Sequence, residues 1–119
     1  MKLQIQGQSL RFRIDEAELA QLLAGAALVN STELGAGQSF RQSLCLKGVV
    51  TPALAISPES WHLTLPEEVV RTYVTQLPCR VALCLELPLP EGRALSVHFE
   101  VDVRDSVRRR GPPKKVART

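Results

Sequence analysis

Lys2-Leu3-Gln4-Ile5-Gln6-Gly7-Gln8-Ser9-Leu10-Arg11-Phe12-Arg13-Ile14-Asp15 alternates polar and apolar residues on either side of Gly7-Gln8. A period of two is that of a strand with one covered face, so Leu3 and Ile5 share a side with Leu10, Phe12 and Ile14. Glycine in the first central position suits a two-residue hairpin turn, which pairs Ile5 with Leu10, Leu3 with Phe12 and Lys2 with Arg13. Asp15 stands where a helix cap belongs, with Glu18 three residues on to return the bond. Leu19, Leu22, Leu23 and Ala26 then recur at helical spacing, and Gly25 supplies a stop.

The same order returns at an offset of 51 residues, where Leu54, Ile56, Trp61, Leu63 and Leu65 fall on Leu3, Ile5, Leu10, Phe12 and Ile14. Pro66 is expected at the first helical position, Glu67 and Glu68 complement the helix dipole, and Val70, Tyr73, Val74 and Leu77 give the apolar stripe. Between the two copies, Leu28 to Leu34 and Ser39 to Leu46 read as strands around Gly35-Ala36-Gly37. After the second helix, Val81, Leu83, Leu85 and Leu87 share one side. Leu95, Val97, Phe99, Val101 and Val103 answer them beyond the turn at Pro88 to Gly92. The expected register pairs Leu83 with Val97 and Val81 with Phe99, and sets Arg80 opposite Glu100.

The expected fold is α+β: a β-rich sandwich or barrel built from two ββαββ pseudo-repeats, residues 1–47 and 53–103, with two short helices. Length limits the chain of 119 residues to one core, so residues 1–103 are read as a single domain. An apolar fraction of 45% with 23% charged residues lets that core form without metal or disulfide staples. No run approaches the roughly 20 apolar residues of a membrane-spanning helix, and three cysteines, an odd count, suit a reducing compartment. A cytoplasmic protein with no membrane contact is expected.

The net charge of +3 is unevenly spread: residues 104–119 carry seven basic and one acidic residue, and the preceding 103 carry eight and eleven. The tail mixes the basic residues Arg108, Arg109, Arg110, Lys114 and Lys115 with Gly111-Pro112-Pro113, a composition that stays flexible and can hold anions, nucleic acid included, through counterion release. In the body, Lys2, Arg11 and Arg13 share the outward face of the first hairpin and form a second candidate anion or partner site, against the simpler reading of a solvated face.

No catalytic set is legible. There is no phosphate loop, no nucleophile elbow and no zinc-type cysteine spacing, so neither cofactor nor metal is expected. Cys45, Cys79 and Cys84 sit in aliphatic runs and read as small apolar fillers. His62 and His98 fall on polar strand faces, with His98 opposite Ala82 and diagonal to Cys84. Glu100 and Asp102 share a solvated face. Trp61 and Tyr73 read as core, and aromatics at 4% of the chain cannot build a base-stacking surface.

The opening Met1 to Ile14, with its turn, Arg11-Phe12-Arg13 strand and following helix, resembles a family of short bacterial proteins of unknown function. The likeness continues at Gly37-Gln38-Ser39-Phe40 and at Leu63-Thr64-Leu65-Pro66. It implies a free-standing bacterial cytosolic domain and carries no activity over. The leading functional expectation is therefore a non-catalytic binding or adaptor domain for an anionic or protein partner. The alternatives are a small-molecule protein or enzyme with a cleft between the pseudo-repeats, which needs polar residues pointing inward, and a self-associating protein, such as a homodimer, joined at a sheet edge.

Overall fold

A computed structural model of the chain describes residues 1–78 and 81–103. The strands are β1 (Lys2–Gln6), β2 (Ser9–Asp15), β3 (Leu28–Gly35), β4 (Gln38–Lys47), β5 (Ala53–Ile56), β6 (Ser60–Pro66), β7 (Leu83–Pro88) and β8 (Ala94–Asp102); helix α1 (Glu16–Leu23) follows β2 and α2 (Glu67–Val74) follows β6. The architecture is mixed, mostly strands, in two four-stranded sheets ordered β1-β2-β8-β7 and β3-β4-β6-β5. Among the described residues no helix is long and apolar enough to cross a membrane.

Each sheet is two antiparallel hairpins joined through a central parallel pair, β2 with β8 and β4 with β6. The parallel pairs carry the core, as parallel strands covered by other elements must. Leu10 faces Val97, Phe12 faces Phe99 and Ile14 faces Val101, while Leu44 faces Leu63. All eight are buried in one cluster with Leu28, Leu65, and Leu19, Leu22, Val70 and Tyr73 of the helices.

The first hairpin has the register that its alternation predicts, Leu3 with Phe12, Ile5 with Leu10 and Lys2 with Arg13. The β5–β6 hairpin repeats it with Leu54 opposite Leu63 and Ile56 opposite Trp61. Asp15 caps α1 by accepting from the Glu18 amide at 2.7 Å, and the Glu18 carboxylate accepts from the Asp15 amide at 3.0 Å. Arg71 on α2 bonds Glu67 one turn back and also donates to the carbonyl of Leu23 at 2.8 Å, an end-of-helix acceptor that α1 itself cannot fill.

Three expectations are corrected. Pro66 is the extended residue before α2, not its first helical residue, because it still pairs with Lys47 in the β4–β6 ladder. The β7–β8 register is shifted by two, with Leu83 opposite Phe99 and Leu85 opposite Val97; a single 3-10 turn at Pro90–Gly92 sets the loop length. Cys84 consequently lies directly opposite His98, and Val81 is 71% exposed ahead of the strand instead of facing Phe99. The proposed partner of Glu100, Arg80, lies outside the described residues with Cys79 and residues 104–119, so Arg108, Arg109, Arg110, Lys114 and Lys115 do as well.

Candidate functional site

Parity along the strands gives each sheet a face turned to the core and a face turned away. On the outward face of the first sheet, Lys2 stands beside Arg13. The parallel strand β8 supplies what the hairpin alone lacked: Arg11 reaches Glu100 at 3.2 Å and Arg13 reaches Asp102 at 3.6 Å. Each arginine thus leans one step along β8, past its direct neighbours His98 and Glu100. Lys2, Arg11 and Arg13 share this face, and Arg11 and Arg13 are paired with carboxylates.

The second sheet differs on both faces. Its outward face holds a chain of short polar contacts between β4 and β6. Ser43 and His62 are direct register partners, as are Cys45 and Thr64. The Ser43 hydroxyl meets His62 Nδ1 at 2.5 Å, Cys45 Sγ lies 3.2 Å from His62 Nε2, and Thr64 Oγ1 lies 3.7 Å from the same sulfur. In the tautomer with Nδ1–H donating to Ser43, Nε2 accepts from the thiol, the arrangement of a nucleophile, a base and an orienting group; in the other, Nε2–H donates to the sulfur and Ser43 donates to Nδ1. Against catalysis, Cys45 is only 8% exposed. Ser43, His62 and Thr64 also have strand partners on both sides, which commits backbone N–H groups to ladders that a developing oxyanion would need. Among the described residues, no three His, Cys, Asp or Glu side chains gather where a metal could sit.

Sequence reading placed His62 on a polar face and Cys45 in an apolar run, and missed their meeting. The signal was present in part, since Leu44 and Leu46 occupy the inward positions and force Cys45 outward. That β4 and β6 run side by side, parallel, was not readable from either strand.

The inward face of the second sheet is apolar only over half its length. Toward the β3–β4 turn, Phe40 and Trp61 form an edge-to-face pair with centroids 5.7 Å apart. Ile56, the register partner of Trp61, is 65% exposed. Beside them, Asn30 donates to Gln42 at 3.1 Å across the β3–β4 pair, and Thr32 faces Phe40. The positions that Leu85 and Val97 hold in the first sheet are amides here. Trp61 is thus half-buried at the border of the core instead of within it, whereas Tyr73 is buried as expected and donates its hydroxyl to the Val81 carbonyl.

No curated protein matches the chain. A family of unknown function, DUF7009, matches residues 1–107, and the chain belongs to that family.

Proposed function

We propose that the chain is a non-catalytic binding domain that holds a protein partner against the inward face of the second sheet where helix and sheet leave it uncovered. One observation carries this reading: the Phe40–Trp61 pair and exposed Ile56 sit beside the amides of Asn30 and Gln42, a mixture of aromatic anchor and polar contacts typical of interface centres. The neutralisation of Arg11 and Arg13 by Glu100 and Asp102 favours a protein over an anionic partner for the body. An anion would fall to Lys2 and to Arg108, Arg109, Arg110, Lys114 and Lys115. A photoreactive residue at Phe40, compared with one at Gln4 on the far sheet, tests the reading in the cells that make the protein. A discrete adduct from position 40 that Ile56→Ser abolishes is expected; adducts from position 4 alone, or from neither, would reject the surface.

The pseudo-repeat belongs to the same proposal. The shared hairpin registers and the matching order of the two sheets support two halves of common pattern, each lending its second hairpin to the sheet begun by the other.

A second reading, a thiol nucleophile for a small electrophile, has the Cys45–His62 geometry in its favour. Sulfur would form the new bond, His62 Nε2 would take the thiol proton, and that proton would pass to the leaving group. Iodoacetamide labelling of the folded protein, mapped by mass spectrometry, decides it. Faster alkylation of Cys45 than of exposed Cys84, slowed by His62→Gln, supports the reading, and labelling of Cys45 only after denaturation removes it.

A further inference from the structure

A strand at the end of a sheet offers unpaired backbone groups to any other strand, and folded proteins guard such edges with charge, proline, brevity or bulges. Four strands pair on one side only among the described residues: β1, β7, β3 and β5. β1 carries Lys2, β7 carries Glu86 and ends at Pro88, and β5 is four residues long between Pro52 and Pro58. β3 is different. It runs for eight residues, Leu28–Gly35, all exposed after the first, with neither lysine nor proline, and its single charge, Glu33, stands near the turn end. Its one irregularity, between Glu33 and Gly35, lies at the turn end and leaves residues 28–33 in regular register with β4.

We infer that β3 is a self-pairing edge, joining antiparallel to β3 of a second copy about a twofold axis at Thr32. In that register Thr32 meets Thr32 of the second copy on the inward face, a favourable cross-strand pair. On the outward face Glu33 lies opposite Ser31 of the second copy, whose next neighbour along the row is Arg41, since Ser31 pairs with Arg41 within each chain. Glu33 and Arg41 form no ion pair among the described residues, and the small Ser31 between them lets the two side chains of different copies meet twice by symmetry. Charge complementarity thus selects a second copy over an unrelated strand. The product is one continuous eight-stranded sheet.

Light scattering on the full chain across a concentration series tests the inference. Twice the mass of one chain is expected. Thr32→Lys sets like charges opposite each other and should move the monomer–dimer midpoint at least roughly tenfold upward in concentration. Thr32→Cys in a Cys79→Ser, Cys84→Ser background should give a covalent dimer on mild oxidation, while Glu68→Cys in the same background should not. A protein that stays monomeric at every concentration overturns the inference. So does a dimer indifferent to Thr32→Lys that Thr32→Cys fails to cross-link. Ile56→Ser, which tests the partner surface, is expected to leave the dimer intact, so the two proposals fail separately.

Discussion

Tyr73 ties three elements at one point. Its ring meets Phe99 of β8 edge to face at 6.1 Å, and its hydroxyl donates at 2.9 Å to the carbonyl of Val81 ahead of β7. Tyr73→Phe keeps the ring contact and removes this hydrogen bond, so a loss of about 1 kcal/mol in urea unfolding is expected. Leu44 has no exposed surface, and Leu44→Ala should cost about 2–5 kcal/mol in the same measurement. Single positions were legible where parity alone decides. Leu10, Phe12, Ile14, Val97, Phe99 and Val101 were assigned inward from alternation and are all buried. Parity tells which face a residue takes and not whether anything covers that face, which is why Trp61 read as core and stands at its border. For Cys45 and His62 the missing knowledge was which strands are neighbours.

At the level of elements, the β7–β8 hairpin shows what a pattern leaves open. A register moved by two residues returns every side chain to the same face, so Leu83 opposite Val97 and Leu83 opposite Phe99 satisfy the alternation equally. The turn decides, and it does so with Glu91 and Gly92 both in the left-handed region, at φ +66° and +72°. Glutamate is poorly suited there. Glu91→Asn should raise the unfolding free energy by roughly 1 kcal/mol, the scale of the left-handed penalty it relieves, and Gly92→Ala should lower it by a similar amount, both readable as shifts in thermal midpoint. The first helix was legible in more detail because its signals are local: Asp15 and Glu18 form the reciprocal cap that their spacing announces. Asp15→Ala is expected to cost about 1 kcal/mol by denaturant titration.

For the molecule as a whole, the parallel pairs β2–β8 and β4–β6 matter most, because each joins the first half of the chain to the second. Neither half contains a complete sheet. Fragments 1–52 and 53–119 should therefore lack a cooperative unfolding transition when separate, and recover strand-type circular dichroism and a transition when mixed; a folded isolated fragment would contradict the shared core. Element order was legible from the repeated pattern, whereas the exchange of hairpins between sheets was not, since alternation within a strand carries no information about a partner far along the chain. The nesting of the sheets bears on synthesis. Every described strand of β3-β4-β6-β5 has emerged once Pro66 leaves the ribosome, but β2 has no parallel neighbour until β8, the last of the described strands, is made. Until β8 is made, the edge of β2 that it pairs, beside Leu10, Phe12 and Ile14, stands open. Slowing elongation between Pro66 and Ala94 would lengthen that wait, leaving the unpaired edge of the first hairpin open to aggregation or chaperone capture for longer.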